Sequence, residues 1–477
     1  MDSTVKLPKI KQPFTVLITL LSTILAVFHV YTGAMGLMYT YVQRGIHLSF
    51  LLVIFLLNTL NKEKSPYKKI FNILLLAAVL AAFAHLFINL EYFAYRLWGA
   101  PLTTLDIITG ILLFLAVLVL GQRIVGWALP VIMLLAIAYG FLGQYLSGVL
   151  QHGGYSWRFM LELVTWSEMG IFSQPLGVSA TYLYMFILFG ALIDKMGTGT
   201  TLMNLAKTLA ARQKGGPAKL AVLASAMMGT ISGSPTSNVL TTGAFTIPMM
   251  IKLGFEKVYA SALVAVASTG GMILPPVMGV LAFAMVDYSG IPYSAIIKSA
   301  AIPAILYYLA TFMSVHLRAH KADLESLDTS TLPSAAEVLK KQWFTLLPIL
   351  ILAVPLVMGF TPLLTASWAT ISLVPVSFLN RDRSKWLTPD RLIDAFKIAG
   401  RNAVMVAIPC SLAGIISGVL GVTGVGIRMS SMLIELSGGN LLLLLILAAI
   451  ITIIMGCGLA ALLAYGVQIP DTIPALV

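Results

Sequence analysis

The residues with the most chemistry to offer lie in Gly229-Thr230-Ile231-Ser232-Gly233-Ser234-Pro235-Thr236-Ser237-Asn238, continued by Thr241-Thr242-Gly243 and Thr246-Ile247-Pro248. A second group follows at Ser268-Thr269-Gly270-Gly271 and Pro275-Pro276. Both sit among apolar residues, where glycine and proline interrupt a helical ladder and strand carbonyl oxygens without partners. Freed carbonyls beside hydroxyls are hard oxygen ligands suited to a small cation such as Na+, whereas N–H groups exposed at a helix start suit a carboxylate. The candidates for an ion and substrate site are therefore Ser232, Gly233, Ser234, Asn238, Thr241 and Thr242 in the first stretch. Those in the second are Ser268, Thr269, Gly270, Gly271, Pro275 and Pro276. Close packing between membrane helices also uses Gly, Ser and Thr, but two breaks with several prolines and ten hydroxyl residues favour a binding site. Neither motif contains Lys or Arg, so no charged partner for a carboxylate is visible.

Other chemistries find less support. A hydrolase buried in a membrane needs a Ser/His or Asp/Asp pair, yet the motifs contain no His, and H-E-x-x-H is absent from the chain. The protein is not expected to be an enzyme. Cys410 and Cys457 show no metal or disulfide spacing. His29, His47 and His85 read as packing or interface residues. His316 and His320 could share a helix face, but Arg318 and Lys321 crowd them with positive charge and no third metal ligand is evident. Glu91, Asp106, Asp194 and Asp287 lie near expected span ends, where water reaches them.

The elements that must hold such motifs follow from composition. Of 477 residues, 59% are hydrophobic and 10% charged, against about 25% charged in a soluble domain. The chain reads as an all-α polytopic membrane protein. Its net charge of +12 is a topology signal, because the basic residues cluster in short loops; nucleic-acid binding is set aside. About eleven spans are expected, near residues 14–36, 45–60, 70–90, 105–121, 125–146, 178–194, 258–285, 292–315, 345–359, 362–379 and 402–424. The first resembles a secretory signal but is long and is followed by many more. Placing the Lys62–Lys69, Arg123, Lys195–Lys219, Arg318–Lys341 and Arg381–Arg401 clusters in the cytoplasm, with the N-terminus, makes 218–248 a re-entrant hairpin. The stretch 162–178 is left outside the membrane, and 318–342 and 381–400 read as polar connectors.

A repeat underlies this order. Gly197-Thr198-Gly199 aligns with Gly424-Val425-Gly426 at a shift of 227, which also carries Gly229 onto Gly456. The two copies run in opposite directions, the inverted arrangement of many secondary transporters. Counterparts of 258–285 would start near 485, beyond Val477, so the second copy is expected to be incomplete.

GTISGSPTSNVLTTGAFTIPMM (229–250) and ASTGGMILPPVMGVLAFAM (267–285) resemble the membrane component of tripartite ATP-independent periplasmic (TRAP) transporters, in the branch that uses TAXI-type binding proteins and fuses the small and large membrane subunits. VGWALP (125–130), PLGVSATY (175–182), GGPAKLAVLASAMMGT (215–230), IPAILYY (302–308) and LSGGNLLLLL (436–445) agree. The resemblance implies an elevator-type permease of a bacterial inner membrane, with no cofactor beyond Na+ as coupling ion. It also implies an extracytoplasmic TAXI-type partner and import of a small organic acid, such as a dicarboxylate, glutamate or 2-oxoglutarate. Ser232, Gly233, Ser268 and Gly270 would hold Na+, with Ser234, Asn238 and Thr269 beside them. The chain then divides into 1–150 (fused small subunit and scaffold), 151–290 (first repeat), 291–400 (scaffold and linkers) and 401–477 (second repeat), in a monomeric protein. One departure stands out: the family's Gly-Met-Gly-Leu-Pro-Thr-Thr-Ala-Ala-Tyr reads here Gly456-Cys457-Gly458-Leu459-Ala460-Ala461-Leu462-Leu463-Ala464-Tyr465, without its proline and hydroxyls. A shortened or diverged second hairpin at Gly456 and Gly458 leaves two alternatives to a carrier, a non-transporting accessory subunit and a channel.

Overall fold

The computed structural model describes residues 13–96, 100–210, 213–321 and 334–456, and those residues fold entirely into helices and connecting turns. In chain order the helices are α1 (Thr15–Met35), α2 (Thr40–Lys62), α3 (Pro66–Ile88), α4 (Leu90–Tyr95), α5 (Thr104–Val125), α6 (Ala128–Leu142) and α7 (Trp157–Thr165). Next come α8 (Gln174–Val178), α9 (Tyr184–Lys195), α10 (Thr198–Ala210), α11 (Gly216–Ser232), α12 (Pro235–Lys252), α13 (Lys257–Thr269) and α14 (Val280–Ser289). The last are α15 (Tyr293–Lys321), α16 (Ala335–Gln342), α17 (Leu347–Met358), α18 (Pro362–Ser377), α19 (Pro389–Thr423), α20 (Val425–Leu436) and α21 (Leu441–Gly456).

Among the described residues nine helical stretches are long and apolar enough to cross a bilayer. They coincide with nine of the eleven expected windows. The window 362–379 holds the 16-residue α18. The window 258–285 is divided between α13 and α14 by a non-helical segment.

Two boundaries differ from expectation. Gln174-Pro175, in the stretch left outside the membrane, starts a helix: proline in the first turn gives up no needed N–H, and α8, a wider π-turn at Ser179–Leu183 and α9 continue as one apolar rod. α19 likewise begins at Pro389, inside the supposed polar connector, with Asp390 in its first turn and Lys397 bonded to Asp394 at 3.0 Å.

Two main apolar cores result, beside a small third cluster of Ala206, Ala210, Leu220 and Ala224 between α10 and α11. The larger surrounds α19, which packs against α1, α2, α5, α6 and α9. Ala395, Ala399, Ala403, Ala407 and Ser411 recur every fourth residue on its buried side, and such small residues let backbones close together where lipid gives no hydrophobic drive. Ser173 Oγ and the Met169 carbonyl press against Gly414 and Gly418. The smaller core joins α11, α12, α13 and α15 through Ala218, Val222, Met250, Leu263, Val264 and Val315.

The repeat positions adopt matching local forms. Gly197 and Gly424, with φ of +88° and +67°, follow α9 and α19, and each is followed by a helix, a turn and a second helix. The fold makes a direct packing prediction at α19. A Cβ on Gly418 would lie 2.1 Å from the Met169 carbonyl oxygen, so Gly418→Val is expected to cost about 1–3 kcal/mol, read as a lowered unfolding temperature in detergent.

Candidate ion- and substrate-binding site

α11 and α12 form a helical hairpin whose tip is Gly233-Ser234. Gly233 takes φ +54°, a left-handed turn that suits glycine, and its N–H closes α11 on the Gly229 carbonyl at 3.2 Å. Ser234 is extended, and its Oγ caps α12 by accepting from Ser237 N–H at 3.4 Å, with Pro235 in the first helical position. Carbonyls at the end of one helix and N–H groups at the start of the next therefore converge within two residues.

The second break lies against this tip. α13 ends at Thr269, a tight turn spans Gly270–Met272, and helix resumes only at Val280. Gly279 N–H returns to the Met272 carbonyl at 2.6 Å, closing the intervening segment into a loop. A Cβ on Gly229 would sit 2.5 Å from Gly271 Cα, and one on Gly233 would sit 1.7 Å from the Met278 carbonyl oxygen. Glycine at both places is what allows two backbones to touch.

Where the hydroxyls and amide point decides what the site can bind. Asn238 is buried beside Gly271, and its Nδ2 donates to the Ser225 carbonyl at 2.8 Å, yet its Oδ1 has no donor. Ser268 Oγ is also buried without a partner. Buried oxygens left unpaired are costly, and each of these two lies at or beside a backbone break. The buried Thr242 hydroxyl bonds the Asn238 carbonyl at 2.8 Å and meets Ser225 Oγ at 3.2 Å, holding α11 and α12 in register. Thr241 and Thr269, by contrast, are exposed and bond back to the Ser237 and Ala265 carbonyls, each four residues earlier; the fold does not turn them into the site. Ser232 contributes the last residue of α11. Pro275 and Pro276 lie in the closed loop. Of the second-hairpin residues, Gly456 ends α21, while Gly458 lies outside the described residues.

Electrostatics come from helix ends, because Ser232–Asn238 and Ser268–Pro276 contain no charged side chain. The carboxyl ends of α11 and α13 bring partial negative charge to the crossing, and the amino ends of α12 and α14 bring partial positive charge. One crossing thus offers oxygen ligands to a cation and N–H groups to an anion.

Sequence reasoning missed the residues that support this crossing. Tyr307 and Tyr308 of α15 donate to the Val266 and Ala267 carbonyls at 2.8 and 2.9 Å, taking up acceptors at the end of α13. Tyr293 donates to the Val277 carbonyl at 2.6 Å and also lies 3.1 Å from the Pro276 carbonyl. The signal was the tyrosine content of α15, the second helix after the break.

Two further buried networks went unread. Asp106 is not water-accessible but fully buried. It is held by His85 at 2.8 Å, Tyr92 at 2.9 Å and its own capping box with Thr103, with Arg96 bridging at 3.2 Å to Glu162. The Thr103-x-x-Asp106 spacing was its legible sign. His29 and His47 join at 3.0 Å, and His47 reaches Ser179 in the π-turn at 3.0 Å. Glu91 and Asp194 are exposed, and the Asp287 side chain lies outside the described residues.

Irregular backbone inside an otherwise helical membrane protein is a feature of many secondary transporters, and comparison with known proteins makes the class specific. A family model described as the DctM component of the tripartite ATP-independent periplasmic transporter matches residues 112–477. The chain belongs to that family. Similar proteins include the uncharacterized protein YgiK of Salmonella typhimurium, 25% identical over 48% of this chain and 52% of the relative. The isethionate TRAP transporter permease protein DctMQ of Oleidesulfovibrio alaskensis is 26% identical over 61% and 45%. The C4-dicarboxylate TRAP transporter large permease protein DctM of Pseudomonas aeruginosa is 25% identical over 45% and 50%. The chain thus spans about half the length of the curated relatives it matches.

The Gly229–Gly271 contact carries the prediction for the site's framework. Gly229→Leu is expected to separate the hairpin from the second break and lower stability by about 1–3 kcal/mol, with Gly229→Ala showing a smaller loss. Thermal unfolding of the purified variants checks the order.

Proposed function

We propose that the chain is the membrane permease of a TRAP-type secondary transporter, importing a small organic acid by Na+ symport with an extracytoplasmic TAXI-type binding protein. The observation that carries this reading is the pair of buried, unpartnered oxygens, Asn238 Oδ1 and Ser268 Oγ, beside two backbone breaks. Na+ binds there through backbone oxygens at Ser232, Gly233 and Gly270 together with these side chains, in keeping with the preference of hard cations for oxygen. The substrate carboxylate binds at the amino ends of α12 and α14, drawn by the helix dipoles. Relatives whose names mention isethionate and C4-dicarboxylates support a small anionic substrate.

The smaller core of α11, α12, α13 and α15 acts as the moving transport unit and the α19 core as its scaffold. The two glycine-linked helix sets after α9 and α19 are inverted copies, with the chain divided at about residues 150, 290 and 400. Helices α1 to α3 precede the family match and correspond to a fused small subunit. The protein works as a monomer in the bacterial inner membrane, with its N-terminus and basic loops in the cytoplasm.

Proteoliposomes with the partner binding protein and an inward Na+ gradient test the proposal, using labelled dicarboxylates, glutamate, 2-oxoglutarate and isethionate. Uptake is expected only with Na+. Ser268→Ala is expected to weaken Na+-dependent thermal stabilisation about tenfold in concentration, equivalent to about 1.4 kcal/mol. Uptake indifferent to Na+, or a Ser268→Ala variant with unaltered Na+ response, would refute the assignment.

A further inference from the structure

At the opposite end of α11 from the hairpin tip, Lys219 is buried with 1% of its surface exposed. Its ammonium lies 2.9 Å from His316 Nδ1 and 5.5 Å from the centre of the Phe312 ring. Among the described residues no carboxylate comes within ion-pair reach of it. A neutral imidazole therefore satisfies one of three ammonium donors, and no described carboxylate offsets the charge, which is unfavourable for a buried cation. Lys219 also stands in the first turn of α11, where the helix dipole is already positive.

Further basic groups follow in the two helix ends that meet here. An ammonium only donates, so His316 Nδ1 accepts and its Nε2 carries the hydrogen, adding another donor. The His320 ring lies 4.2 Å from that of His316. Lys214, Arg318 and Lys321 are exposed nearby in the chain, and the acid paired with Arg318 is Glu256, at 3.5 Å. The start of α11 is pressed onto α15: a Cβ on Gly215 would lie 2.4 Å from Ala319 Cβ.

The face of α15 leading to this end is apolar and open. Ile302, Ile305, Leu306, Leu309, Met313 and Leu317 are each at least half exposed and follow helical spacing. Acyl chains lying along that stripe bring their headgroups level with His320 and Lys321. The basic clusters place this end at the cytoplasmic leaflet, which is rich in anionic lipid. We propose that the first turn of α11 and the last turn of α15 form a binding site for the headgroup of an anionic phospholipid. A second copy of the chain would cover the stripe but leave the charge, and free phosphate would neutralise the charge but leave the stripe. Lipid does both. The inference rests on the reading that the basic loops lie in the cytoplasm, and it stands or falls separately from Na+ coupling.

Native mass spectrometry of the full chain in detergent tests the site, with phosphatidylglycerol, phosphatidylethanolamine or inorganic phosphate added. Phosphatidylglycerol is expected to be retained in preference to phosphatidylethanolamine and to resist competition by phosphate. Lys321→Gln is expected to weaken retention by about fivefold, the worth of one basic residue at an anionic surface, and Lys219→Met, whose buried ammonium acts on the headgroup through His316, is expected to weaken it less. If Lys219→Met fails to fold, the exposed Lys321→Gln variant carries the test. Equal retention of both lipids, displacement by phosphate, undiminished binding in Lys321→Gln, or a dimer that occludes the α15 stripe would each overturn the proposal.

Discussion

Every peptide group that leaves a helix inside hydrocarbon must find another partner, and this chain leaves helical geometry twice at one crossing. Most of the resulting demands are met locally or by α15. Gly233 bonds back to Gly229, Gly279 to Met272, and three tyrosines take carbonyls at the end of α13 and in the loop that follows. What remains after this matching is a small set of oxygens, Asn238 Oδ1 and Ser268 Oγ among them. The tyrosines thus take up backbone acceptors that the broken helix exposes.

Close approach makes that arrangement possible. Gly229 against Gly271 and Gly233 against Met278 bring two backbones into contact with no side chain between them. The same device recurs around α19, where alanines every fourth residue and Gly414 and Gly418 admit the turn before α8. In both cores small residues position larger groups by removing what would hold them apart.

Hydropathy made the long spans legible, because twenty apolar residues in a row have few alternatives. The hairpin was equally readable, since glycine, proline and serine at 232–235 state both where one helix ends and how the next is capped. Boundaries carried by amphipathic or charged turns were hidden. The first turns of α19 hold Asp390, Arg391 and Asp394, which look like a connector until Lys397 and the helix amino end are seen to accommodate them. Asp106 was misjudged for a related reason: a window score places a carboxylate along the chain, but not the His85, Tyr92 and Arg96 that reach it from α3 and α4. The tyrosines of α15 were visible as residues but not as partners, because their acceptors exist only once α13 has stopped.

α19 contains 35 residues, about 52 Å of helix at 1.5 Å per residue, against a hydrocarbon slab of about 30 Å. A rod that long either leans steeply or stands proud of the bilayer, and its Pro389 end carries Arg391, whose guanidinium grips the Lys195 carbonyl where α9 stops. The two most deeply enclosed helical stretches are therefore tied to each other at this end as well as packed along their length.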